Sequence, residues 1–115
     1  MIQARLVQDP EGNLVACSVH GHADYDDEGH DIVCAAVSVL TANCINSLEA
    51  VVHIRPVIRQ NESGVLSFTL PGGLDPRSMQ DAQILMKSLR QGLSDVVREY
   101  PHFVKLAISN GGKIQ

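Results

Sequence analysis

The chain has 115 residues, a formal net charge of −4 and 44% apolar residues. That length supports one hydrophobic core and not two, so residues 1–115 read as a single domain, and the apolar content excludes a disordered chain. The nine lysines and arginines are scattered, which argues against direct nucleic-acid binding, and the mild acidity suits a basic partner.

Residues 2–7 alternate as a strand, Asp9-Pro10-Glu11-Gly12-Asn13 is a turn signal, and residues 14–20 read as the returning strand of a hairpin. The stretch from Gly21 to His30 is polar and acidic, notably over residues 24–28, and is expected to be a mobile loop. From Asp31 to about His53 there is neither glycine nor proline. Asp31 is the expected N-cap, and Val33, Val37, Leu40, Cys44, Leu48 and Val51 recur at helical spacing on the face expected to meet the sheet. A second face, with Ile32, Ala36, Val39, Asn43, Asn46 and Ala50, is too apolar for ordinary solvent exposure and suggests a subunit contact.

Pro56 is expected to end the helical region. Residues 57–59 and 65–70 predict two short strands joined by a turn at 61–64. Asp75-Pro76 opens a second helix, with aspartate as cap and proline at the first helical position. Its predicted apolar stripe holds Ala82, Leu85, Leu89, Leu93, Val96 and Tyr100. Pro101 stops it, residues 103–108 predict a last strand, and Gly111-Gly112 begins a tail. The order β-β-α-β-β-α-β predicts an α+β fold with one mixed sheet packed with two helices.

The three cysteines, Cys17, Cys34 and Cys44, form no CxxC pair, which disfavours a zinc ribbon or a redox dithiol; reduced thiols in the cytoplasm are the expectation. The first residues lack the pattern of a signal peptide. No run of ~18 uncharged apolar residues is evident, so no membrane span is expected.

A cysteine attacks as thiolate, and two devices favour that form near neutrality: a helix N-terminus and a neighbouring imidazole. Cys34 is the third residue of the first helix behind its Asp31 cap, and the amides there are expected to serve as an oxyanion hole. His20, His22 and His30 are the candidate bases. The residues alone leave all three open, with loop closure favouring His22 slightly. Cys44 falls on the sheet-facing stripe and Cys17 on a strand, so both read as structural. His20, His22, His30 and Cys34 are weighed as a zinc set, but their spacing fits no common template. The acidic loop lacks the later glutamate of a calcium loop. No metal or cofactor is expected. Ser38 either bonds back to the Cys34 carbonyl or lines a cleft; Asp31 is a cap before it is the third member of a triad.

The segments Gly21-His22-Ala23 and Gly29-His30-Asp31-Ile32-Val33-Cys34-Ala35-Ala36-Val37-Ser38 resemble the bacterial ribosomal-processing cysteine protease family (Prp). Its motif is Gly-His, a short loop, then Gly-x-Asp-x-Val-Cys followed by small residues and serine. The resemblance implies a homodimeric thiol protease, a cytoplasmic hydrolase of ribosome biogenesis. Such a protease removes a short N-terminal extension from large-subunit ribosomal protein twenty-seven, cutting after an aromatic residue. The family's catalytic histidine falls on His22 and its nucleophile on Cys34, while its aspartate and serine fall on Asp31 and Ser38, in support or substrate-binding roles. The rival expectation is a non-enzymatic ribosome-assembly interaction protein in which Cys34 is simply buried.

Overall fold

A computed structural model describes residues 1–23, 25–26, 31–60 and 65–111. The expected turn at 61–64, most of the acidic loop with His30, and the tail from Gly112 lie outside the described residues. The elements are β1 (Ile2–Gln8), β2 (Leu14–His20), α1 (Ile32–Ala50), β3 (Val57–Gln60), β4 (Leu66–Thr69), α2 (Pro76–Glu99) and β5 (Val104–Asn110). The predicted order holds.

The five strands form one sheet in the order β3-β4-β2-β1-β5. β1 pairs with β2 antiparallel and with β5 parallel, so the sheet is mixed. The β1–β2 turn is tied by Asp9, whose Oδ1 accepts from the amides of Glu11 at 3.0 Å and Asn13 at 2.8 Å. Alternation along the strands sorts the two faces of the sheet. Ile2, Ala4, Leu6, Cys17 and Phe68 point to the side that packs with both helices in one core. Gln3, Arg5 and Lys105 point to the other side and are exposed.

α1 is capped at Asp31 as predicted. It ends sooner than Pro56 would require. The Ile54 amide donates to Leu48 O at 2.8 Å and the His53 amide to Glu49 O at 3.2 Å, with His53 left-handed at φ 61°. This is an αL-type closure, with a 5→1 bond from the left-handed His53 and a wider one from Ile54, so that the orphan carbonyls find donors and Ile54 joins the core with Leu48. The buried stripe is Val33, Val37, Thr41, Cys44 and Leu48. Thr41 takes the place predicted for Leu40, which is only half-buried; its hydroxyl donates to Val37 O at 2.8 Å, so the polar atom is satisfied inside the core. Val51, predicted on the inward stripe, is exposed because it lies past the helix end.

α2 has Asp75 accepting from the Ser78 amide at 2.7 Å. Its core residues are Ala82, Gln83, Met86, Leu89 and Leu93. The half-buried Leu85 and Val96 flank this stripe. Gln83 bonds both main-chain groups of Leu14, accepting from its amide at 2.7 Å and donating to its carbonyl at 2.8 Å. The helices approach closely at Gly92, where any Cβ would press on the Leu40 methyls, the nearest at 2.7 Å.

α1 is by length and composition long and apolar enough to cross a membrane, a property that a core helix can share, and 28% of that span is buried within the fold. Its other side leaves Ile32 and Val39 exposed, as the second apolar face predicted.

Candidate active site

Strand parity separates the candidate histidines. In β2, Cys17 and Val19 face the helices, while Ser18 and His20 face away. His20 therefore borders a hollow on the bare side, beside Arg5 and Lys105. The chain then turns at Gly21, whose φ is 91° and where a Cβ would collide with the Met1 carbonyl oxygen; only glycine fits. That turn swings His22 to the helix side, where it is exposed at the edge of a cavity of about 480 Å³. Cys34, Ser38, Val19, Gln60 and Leu66 line the same cavity. The structure thus brings together His22, Cys34 and Ser38 and leaves His20 apart.

Asp31 organises the entrance to α1. Its Oδ1 accepts from the amides of Val33 at 3.0 Å and Cys34 at 2.9 Å, and its Oδ2 accepts from the Tyr25 amide at 3.1 Å. The Cys34 amide is the main reason its carboxyl sits below the usual carboxylate range; partial desolvation opposes this, and the Tyr25 amide, the Cys34 thiol and the Asp26 amide add to it. The carboxylate is the form that caps the helix, so the cap holds above the ordinary aspartate pKa and is lost as pH falls through the lowered one.

This arrangement corrects one expectation. The amides of Val33 and Cys34 are engaged by the Asp31 side chain, and the Ala35 amide donates to the Asp31 main-chain oxygen at 3.1 Å. The first turn of α1 therefore does not present those donors to a substrate oxyanion.

Cys34 is half-buried, and its Sγ accepts from the Ala23 amide at 3.3 Å. Ala23 itself is buried in the core. Two residues on, Tyr25 lies edge-on to Tyr100 and Phe103, with ring centroids 5.6 and 5.1 Å apart, a favoured aromatic geometry. The segment expected to be mobile is held, over its described residues, by a sulfur contact, a carboxylate and an aromatic cluster. Ala23 fell within the family motif without a role, and no sequence signal marked Tyr25, whose ring partners Tyr100 and Phe103 are distant in the chain.

The other two thiols behave as structural residues. Burial, then the neighbouring Cys44, pushes the Cys17 thiol up to about 12; burial pushes Cys44 up to about 11. Cys44 packs against Met86 and the Leu85 carbonyl. Ser38 is exposed and lines the cleft, while Thr41 is the back-bonded hydroxyl. Among the described residues no three of His, Cys, Asp or Glu converge as a metal site would need.

Residues 1–105 match the family described as Cysteine protease Prp. The ribosomal processing cysteine protease Prp of Bacillus subtilis (strain 168) is 29% identical over 101 residues, covering 87% of this chain and 90% of that protein. Its namesake in Staphylococcus aureus (strain Mu50) is 27% identical over 110 residues, covering 92% and 97%. Among solved structures, SMU.848 from Streptococcus mutans superposes with a TM-score of 0.82 at 29% identity, covering 96% of this chain and 95% of that one. The Staphylococcus aureus Prp crystallised with a covalently linked product peptide superposes at 0.84 with 24% identity, covering 95% and 100%, and shares the fold.

Proposed function

The chain belongs to the cysteine protease Prp family, and from that premise we propose that Cys34 is its nucleophile, His22 its general base, and a ribosomal protein its substrate. The observation that carries the assignment is that His22 and Cys34, twelve residues apart, line one open cavity with the sulfur at the start of a helix. A non-enzymatic module would be content with a sealed thiol.

In the first step His22 takes the proton of Cys34, and the thiolate adds to the scissile carbonyl carbon. The imidazolium then protonates the leaving amine as the C–N bond breaks, giving a thioester. Water, deprotonated by His22, attacks that thioester, and the C–S bond breaks to return the thiol. Asp31 supports the geometry by fixing the turn that carries Cys34, and Ser38 borders the bound peptide.

The finer reading is an endopeptidase that removes the short N-terminal extension of large-subunit ribosomal protein twenty-seven, in the cytoplasm. The names of the bacterial relatives support a ribosomal substrate, and the net charge of −4 suits a basic one. The working form is a homodimer joined through the outer side of α1. That side exposes Ile32 and Val39.

The test is trimming of purified ribosomal protein twenty-seven carrying its extension. The Cys34→Ala variant should fall below ~1% of the parent rate, the usual consequence of deleting a nucleophile. Trimming that survives this change would sink the assignment. Iodoacetamide near neutral pH should alkylate Cys34 alone, since the other thiols are held at about 12 and about 11, and the rate should drop in His22→Ala.

A further inference from the structure

We propose that the backbone N–H of Ala23 is the catalytic hydrogen-bond donor of this site, holding the Cys34 thiolate in the free enzyme and the substrate oxyanion after attack. The proposal rests on the nucleophilic role of Cys34 given above. A protease of this class must place at least one donor where the carbonyl oxygen gains charge. Three amides of the first turn of α1 are turned to Asp31: those of Val33 and Cys34 to its side chain, that of Ala35 to its main chain. The Ala23 amide instead points at the reacting atom, 3.3 Å from Sγ.

The placement is preorganised. Upstream, Gly21 lies against the Met1 main chain so closely that a Cβ would not fit. At the residue itself, the Ala23 methyl sits in the hydrophobic core. Downstream, the Tyr25 amide is tied to Asp31 and its ring to Tyr100 and Phe103. A donor fixed on both sides needs no reorganisation when charge appears, which is the source of its advantage over water.

The electron bookkeeping is simple. The N–H bond is never broken. When the thiolate pair forms the S–C bond, the carbonyl π pair moves onto oxygen, which is then attached to the carbon that sulfur has just bonded. A donor already touching sulfur needs only a small shift to meet that oxygen. When the C–N bond breaks the oxygen pair returns to carbon, and when the thioester is hydrolysed the donor returns to sulfur. Because Ala23 follows His22 directly, one short segment carries both the base and the charge-stabilising donor.

The decisive experiment deletes this N–H while keeping the methyl. Semisynthesis joins a synthetic 1–33 thioester to a 34–115 fragment at Cys34 itself, with Ala23 replaced by lactic acid so that an ester oxygen stands where the amide was. The all-amide semisynthetic protein is the reference. For a peptide spanning the extension junction, kcat should fall about 10²-fold or more, the usual loss on removing an oxyanion donor, with KM changed less than about threefold because the effect appears in the transition state. The pH profile of Cys34 alkylation should shift to higher pH. A kcat within threefold of the reference would overturn the proposal.

A measurement on the unaltered protein stands beside it. On addition of a peptide aldehyde, which forms a hemithioacetal with Cys34, the Ala23 amide proton should move downfield in the NMR spectrum. An unmoved resonance overturns the assignment. Cys34→Ala run in parallel separates the two claims. If that variant still cleaves, the nucleophile assignment is what fails; if it is inactive while the ester is fully active, only the donor assignment fails.

Discussion

α1 and α2 lie side by side under one sheet, yet their outer surfaces are opposites. α2 turns charge to solvent, with Arg77 paired to Asp81 at 3.2 Å and Arg98 to Asp95 at 2.7 Å, and its one large exposed apolar side chain is Ile84. Among the residues of α1 the only charge is Glu49, and its outer side sets the exposed Ile32 and Val39 among small residues and the amides Asn43 and Asn46. An amphipathic helix such as α2 is satisfied by one apolar partner, whereas a nearly uncharged helix with exposed aliphatic side chains such as α1 has room for a second. The difference teaches that α2 is scaffold, while α1 carries the proposed nucleophile at its first turn and the proposed subunit contact along its length.

Substitutions sharpen that contrast. The largest effect belongs to the shared core. Leu48→Ala, at a fully buried site on α1, should cost about 2–5 kcal/mol of unfolding free energy through lost burial and a residual cavity, read by urea denaturation. Next comes the outer side. Val39→Asp should weaken self-association at least tenfold, about 1.4 kcal/mol, in sedimentation equilibrium, while Ile84→Asp on α2 should leave it unchanged. Equal effects of the two would erase the distinction between the helices. The smallest belongs to the charged surface: Arg98→Ala should change stability by less than about 0.5 kcal/mol, because an exposed pair gains little in water.

Much of this architecture was legible in the residues. Asp31 and Asp75-Pro76 announced both helix starts because capping is local chemistry. The strands followed from alternation and turn residues. Thr41, Gln83 and Met86 were missed as core positions. Periodicity weighs side chains by apolarity, whereas Thr41 is buried with a local carbonyl partner and Gln83 with Leu14, sixty-nine positions away. The pairing of His22 with Cys34 came from the family motif. Strand parity would have removed His20, since it shares a face with Ser18 and not with Cys17. The Asp31 cap was legible and itself implies that the amides of Val33 and Cys34 are engaged; the contact of the Ala23 amide with the sulfur was not, because it depends on how the loop folds back onto α1.

The parallel pairing of β1 with β5 carries a consequence for when the enzyme becomes competent. Ile2 borders the cleft and Met1 props the turn before His22, but Ile2 is itself held by the Phe103 carbonyl at 2.9 Å and lies in register with Val104. Ile2 is therefore fixed only when residues about a hundred positions further along the chain have docked, a long-range closure of the kind that slows folding. A chain lacking β5 would keep His22 and Cys34 but lose the strand that fixes Ile2 beside them, so the proposed site is complete only once β5 has docked.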